Sequence, residues 1–418
     1  MIFSKNNFFK IFLYLYTFLF IFNPSNFSSF NLIYLLSFFS ILYFIFNRKV
    51  FFKYFKNKKV FSLLFLCVYL CVYMLALYMT GSEDALYESY VILIVIMAIL
   101  CGLVIVDMFK NIYGFNFLKF IEFIIRVGLI QFFFVALSVF YPEFREWVLN
   151  TSRQEDLESI SNSEFNGLRS FGLSLGYTST LPMFMGVCSL LSFYFFIVKE
   201  NIKSKLFYFF VTFSFLISVV LNARIGLVPI SICLITLPFF FVFNLRKKAK
   251  TLVFLILSVL VSFSLSFSTL LTSDYLARFM AGLDEIDSLL GGKATGTFEA
   301  LLDMWFFPDS KTDFIFGQGL KVFGSNSKGS DIGLVRGIYM YGFLNVLIVT
   351  AVLLYSSTPL LKTFKKYFGY IFLFSFVLSF FAFYFKGLLF SSNEVMNLFF
   401  ILLVFCIFYN KTLSRDII

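Results

Sequence analysis

Val91-Ile92-Leu93-Ile94-Val95-Ile96-Met97-Ala98-Ile99-Leu100-Cys101-Gly102-Leu103-Val104-Ile105-Val106 carries no charged side chain, and its reading decides the fold class. It forms the centre of an apolar run over 89–109. A helix rises 1.5 Å per residue, so about twenty apolar residues cross the roughly 30 Å of a bilayer's hydrocarbon. Strands of a membrane barrel alternate apolar and polar residues, and this run does not. Runs of the same kind recur from end to end. The chain of 418 residues is 60% hydrophobic and 14% charged, with mean hydropathy +0.91. Soluble domains sit nearer about 45–50% apolar and about 25% charged. The expectation is an all-α polytopic membrane protein, with residues 1–418 as a single integral membrane domain.

The pattern predicts twelve spans: 8–23, 27–46, 60–80, 89–109, 120–141, 177–198, 206–222, 225–244, 251–271, 334–355, 367–385 and 394–410. Lys5 and Lys10 precede the first run with no small-residue cleavage site, so it reads as a span rather than a removed signal peptide. Most of the 34 basic residues fall in alternate connectors, including Lys58, Lys59, Lys110, Lys199, Arg246 and Lys365. Glu83, Asp84 and Glu88 fall on the opposite side. Basic loops stay inside, so both termini are expected in the cytoplasm. The seventh and eighth spans meet at Asn222-Ala223-Arg224-Ile225-Gly226. An Arg at mid-bilayer is costly, so a break at the outer surface is expected there.

Net charge is +11. The basic residues lie in short loops between spans, which excludes nucleic acid as the expected partner. Cys67, Cys71, Cys101, Cys188, Cys233 and Cys406 all sit in apolar runs and read as small hydrophobes rather than disulfides or metal ligands. The 68 Phe residues read as lipid-facing bulk. His is absent. That removes the commonest metal ligand and the usual neutral-pH base, leaving carboxylates, Arg, Lys and hydroxyls for any chemistry. No metal and no cofactor is expected.

Two outer connectors are long, 142–176 and 272–333, and connectors above about 12–15 residues are usually functional or disordered. The first holds Arg153, Arg169 and an acidic cluster from Glu155 to Glu158. In the second, Leu283, Ile286, Leu289 and Leu290 suggest a short amphipathic helix on the membrane surface. Its aromatic residues include Trp305, Phe306 and Phe307. Arg224, in a tight turn with Gly226 beside it, reads either as an anion clamp or as a snorkelling side chain. Arg169 precedes Gly172 and Gly176, and Ser170, Tyr177, Thr178, Ser179 and Thr180 offer hydroxyls; the group reads either as a sugar or phosphate face or as an ordinary polar cap on a membrane helix. Asp331 and Arg336 lie five residues apart, so they are not helical neighbours. Asp331 reads as a helix cap or as a general base. Arg278 opens the second loop, and Lys386 ends the eleventh span as a further phosphate contact. Glu122 and Arg126 read as a structural pair across one turn.

Arg169-Ser170-Phe171-Gly172, Asn222-Ala223-Arg224-Ile225-Gly226, Trp305 with Phe316-Gly317-Gln318-Gly319, and Ser330-Asp331-Ile332-Gly333 leading to Tyr341-Gly342 together resemble the O-antigen polymerases, the Wzy-type polymerases of polysaccharide repeat units. The outline is also similar to that of the O-antigen ligases. The resemblance implies glycosyl transfer at the periplasmic face, within lipopolysaccharide O-antigen biosynthesis and without metal. Donor and acceptor would be glycans on undecaprenyl pyrophosphate, with membrane lipid and a chain-length regulator as further partners. It implies catalytic roles for Asp331, Arg224 and Arg336, and substrate binding by Arg169, Arg278, Lys386, Tyr177 and Trp305. The alternatives are a lipid-linked oligosaccharide flippase or other transporter, and a ligase. Nearly charge-free spans disfavour the first; the missing His disfavours the second.

Overall fold

The computed structural model describes residues 5–24, 31–151, 172–174, 180–242, 291, 299, 302–322, 329–330, 332–386 and 390–413, with the backbone alone at 5–6, Arg224, 237–242, 385–386 and 412–413. Among the described residues there is no strand. The helices are α1 (Lys5–Phe22), α2 (Leu32–Phe46), α3 (Arg48–Phe55), α4 (Lys58–Met79), α5 (Glu83–Tyr113), α6 (Phe117–Phe140), α7 (Pro142–Asn150), α8 (Thr180–Val198), α9 (Ile202–Asn222), α10 (Val228–Val242), α11 (Lys311–Phe316), α12 (Gly333–Tyr341), α13 (Phe343–Lys386) and α14 (Glu394–Leu413). Seven of these are long and apolar enough to cross a membrane, or up to eight if α2 and α3, bent by 106°, are one broken span. The protein is an all-α multi-pass membrane protein. The span read at 251–271 and the amphipathic segment at 283–290 lie outside the described residues.

α8 and α14 form the interior. Their most apolar windows are 83% and 89% buried, against 33% for α4. A helix that is apolar around its whole circumference is one that can be enclosed by neighbours, and α5 packs on α1, α2, α4 and α14. The Phe residues divide accordingly. Phe61 and Phe65 face outward, 59% and 64% exposed, as lipid-facing bulk should be. Phe109, Phe117, Phe120 and Phe405 pack inside, and the rings of Phe120 and Phe405 stack at 4.1 Å. Lipid-facing bulk therefore describes only part of the Phe content. Offset rings supply packing energy that apolar area alone cannot, because lipid tails are as apolar as the helix. All six Cys are free, and Cys71 alone is not fully buried.

α13 is two arms. At Gly369, φ is 78° and ψ −177°, a backbone region open essentially to Gly alone. The Phe364 and Phe376 rings meet at 4.4 Å across this break, so the arms 343–368 and 370–386 lie back on one another. Its turn gathers Lys362, Lys365 and Lys366. The same end collects Lys10 over Tyr113, Lys59 bonded to the Tyr355 carbonyl at 3.0 Å, Lys110 over Phe115, and Lys199. This is the basic end. The other end, expected outside because basic loops stay inside, carries Ser82, Tyr141, Thr180, Asn222, Gly333 and Glu394 and is the outer end.

The tenth span begins later than its hydropathy suggests. Residues 334–341 belong to α12, a helix too short to cross, and Gly342 separates it from α13. At the basic end, Asp107 is buried in α5 and accepts hydrogen bonds from Tyr43 (2.5 Å) and Tyr54 (2.8 Å). These bonds hold the basic α3 against the bundle after its bend.

Candidate functional site at the outer end

The chain breaks at Arg224, as the cost of a mid-bilayer Arg predicts. α9 stops at Asn222, Ala223 is extended, and Arg224–Leu227 forms one 3-10 turn before α10. Ile225 packs with Met183, Phe383 and Val395. Cys233, further on, lies beside Ser375. The chain thus comes up through α9, turns at the outer end and descends in α10. What fixes the turn is bare backbone. A Cβ on Gly226 would stand 2.2 Å from the Pro182 carbonyl oxygen, and one on Gly186 would stand 2.0 Å from the Gly226 oxygen. The backbone that carries Arg224 therefore lies directly on the first turns of α8.

Beside that turn is Glu394, the first residue of α14. It is 1% exposed and accepts hydrogen bonds from the hydroxyls of Ser174 and Thr180. A carboxylate at a helix N-terminus gains from the helix dipole, and its burial is compensated here by two donors. Around it, Asn393 Oδ1 accepts from the Met396 N–H at 3.0 Å, and Asn397 Nδ2 donates to the Phe20 carbonyl at 2.9 Å. Lys386 ends α13 three residues after Phe383, which is itself packed on Ile225 and Val395. The starts of α8 and α14, the Arg224 turn and the end of α13 thus converge.

A second cluster forms where the long loop returns. Gly317 and Gly342 are in backbone contact, and a Cβ on Gly317 would meet the Gly342 nitrogen at 2.5 Å. Gln318 N donates to the Tyr339 carbonyl at 2.8 Å, Ser82 Oγ donates to the Gly319 carbonyl at 2.8 Å, and Lys321 N donates to Asp84 Oδ2 at 2.8 Å. Tyr73 donates its hydroxyl to the Phe316 carbonyl. Phe316-Gly317-Gln318-Gly319 and Tyr341-Gly342, separate in sequence, are one structural unit tied to the outer ends of α4 and α5.

Beneath it, the buried Glu88 accepts from the Tyr341 hydroxyl, with Arg336 and Lys321 acting on its charge. Burial and the Glu88 carboxylate push the Tyr341 phenol well above its ordinary range, so it stays the donor. The carboxylate that Arg336 acts on here is Glu88. The N-cap of α12 is Ile332, whose N–H is met by Ser330 Oγ at 3.2 Å, and not Asp331.

Of the residues singled out by sequence, Asp331, Arg169, Arg278 and Tyr177 lie outside the described residues. Arg224 and Lys386 are placed through their backbone. Arg336 lies in α12, and Trp305 is half-exposed with its ring 6.2 Å from that of Phe307. Glu122 forms its ion pair with Lys199 at 2.8 Å, not with Arg126 as the i, i+4 spacing suggests, because the end of α8 brings the ammonium across. Sequence reasoning passed over Glu88 and Glu394. Each is the acid nearest a long apolar run, and only packing shows that it is enclosed. Among the described residues no three His, Cys, Asp or Glu side chains are grouped to hold a metal ion.

These features define a multi-pass helical membrane protein with a polar outer end built around buried carboxylates. No family profile, curated protein or solved structure matches the chain.

Proposed function

We propose that this protein is a Wzy-type O-antigen polymerase of twelve spans, acting at the periplasmic face of a bacterial inner membrane with both termini in the cytoplasm. The observation that carries the reading is the outer-end convergence of the Arg224 turn, Lys386, Thr180 and Glu394 above an apolar groove. That groove lies between the two arms of α13 and α14 and is lined by Leu353, Leu360, Phe376, Phe380, Met396 and Phe399. Exposed Leu354 and Phe381 lie at its edge, 53% and 44% exposed. A polyprenyl chain fits such a groove chemically, with its pyrophosphate at the polar end.

In this reading a sugar hydroxyl of the acceptor repeat unit attacks the anomeric carbon of the donor glycan. The new C–O bond forms as the bond to undecaprenyl pyrophosphate breaks, and the leaving group takes the electron pair. Arg224, Arg336 and Arg169, with Arg278 and Lys386, meet the negative charge that grows on the pyrophosphate. The acceptor proton passes to a carboxylate, assigned to Asp331. Tyr177 and Trp305 bind glycan. Glu394 acts as a positioning residue, tying Ser174 and Thr180 to the end of α14 beside the Arg224 turn.

Deleting the gene should leave a single repeat unit on the lipid A core and abolish the long ladder on a gel. A flippase or ligase deletion leaves no repeat attached. Arg224→Ala and Arg336→Ala, at parental abundance on an immunoblot, should reproduce the single-repeat pattern. A full ladder in both would remove the Arg clamp.

A further inference from the structure

At the basic end, α6, the end of α8 and the start of α9 border an open cleft of about 370 Å³, lined by Glu122, Arg126, Lys199, Lys203, Ser204 and Tyr208. The charges in it do not balance. Lys199 is spent on Glu122 at 2.8 Å, with Tyr208 beside the same carboxylate. Three cations (Arg126, Lys199, Lys203) against one carboxylate leave two positive charges. Arg126 is nine residues into α6 from Phe117, about 14 Å along the axis, with Tyr14 as a hydrogen-bond partner. A cation that far into a span is costly unless an anion or water reaches it.

The cleft continues into apolar surface. Phe207 is part of its wall, and Leu206, Phe207 and Phe210 are 42%, 48% and 63% exposed on one side of α9. Cations and a hydroxyl in a cleft at the basic end, followed by an exposed apolar stripe, match a molecule with a phosphate at one end and hydrocarbon at the other. Free phosphate would use the first feature and leave the second without a role. We propose that this cleft binds the phosphate of an anionic phospholipid from the leaflet at the basic end, with Arg126 and Lys203 on the phosphate and an acyl chain along Leu206, Phe207 and Phe210. The site lies at the opposite end of the bundle from the Arg224 turn, and it does not depend on the polymerase reading.

The test titrates phosphatidylglycerol, phosphatidylcholine or inorganic phosphate into the full-length protein purified in detergent. Thermal unfolding gives apparent affinity, and native mass spectrometry counts retained lipid. Phosphatidylglycerol should raise the unfolding temperature saturably and remain bound; phosphatidylcholine should do neither. Lys203 is exposed at the start of α9, so Lys203→Ala should unfold at the parental temperature without lipid. Its affinity for phosphatidylglycerol should fall about fivefold, the loss expected for about 1 kcal/mol per basic residue at a membrane surface. Lys203→Arg should restore it. Equal binding of the two lipids, unchanged affinity in Lys203→Ala, or full stabilisation by inorganic phosphate would each overturn the proposal. The last outcome would make the cleft a site for soluble anions. No glycan is read, so failure here leaves the outer-end reading untouched.

Discussion

Glu394 and Arg224 show how differently two charged residues at span edges declare themselves. Arg224 stands between two apolar runs, and the cost of a guanidinium at mid-bilayer forces a break that sequence alone reveals. Glu394 is an acid just ahead of an apolar run, which is ordinary on the outer side of a membrane protein. Its enclosure depends on Ser174 and Thr180, some 220 and 214 positions away in the chain. Replacing Glu394 by Ala removes the buried carboxylate that accepts from both hydroxyls and should cost about 1–3 kcal/mol. Thermal unfolding of the purified protein would read this as a lower midpoint, while Ser391→Ala nearby, on a half-buried side chain, should move it far less. Equal midpoints for Glu394→Ala and the parent would mean that the carboxylate does not hold these segments together. Glu88 was equally hidden in the sequence, because the Tyr341 that bonds it is 253 residues distant.

Among the elements, the informative contacts are those where two backbones touch. The turn at Arg224–Leu227 can lie on α8 only because Gly226 and Gly186 have no side chains. Gly226→Ala would drive a methyl to 2.2 Å from the Pro182 carbonyl. Separating the turn from α8 to relieve that contact should cost at least about 1–3 kcal/mol, the usual penalty for overpacking. The expected readout is a lower unfolding midpoint together with loss of any activity that needs Arg224. Gly226→Ala with a parental midpoint would show that the turn is not held against α8. A Gly-x-Gly such as 317–319 marks a tight turn in a sequence without showing what it turns against. Its docking on Gly342 explains why the short α12 is set off from α13 where hydropathy shows one continuous run from 334. Hydropathy measures composition along the chain. It is blind to a Gly with φ near +80°, which ends a helix without ending the apolar run.

For the whole molecule, the segregation of charge predicts an orientation. Lysines cluster at the end that holds the 362–369 turn, and the opposite end carries the Arg224 turn and the Gly317–Gly342 contact. Tyr141→Cys at the outer end, 56% exposed, should react with a membrane-impermeant maleimide added to intact spheroplasts. Lys366→Cys in the α13 turn should react only after the membrane is opened. The native cysteines are buried or half-buried and should give little background. The reverse labelling pattern would turn the molecule over in the membrane and move the Arg224 turn to the cytoplasm.

Sequence by itself determined the class of this protein, since long charge-free runs leave the backbone no other way to satisfy its hydrogen bonds in lipid than a helix. It also determined where the chain must break at Arg224, and which connectors are basic. Only the tertiary structure decided which helices are enclosed, which Phe residues pack inside, and that Glu88 and Glu394 are buried partners of distant hydroxyls. The reason is physical. Helicity and membrane insertion depend on the local sum of side-chain transfer energies. The placement of a buried carboxylate depends on donors that arrive from segments hundreds of residues away, and no local sum contains them.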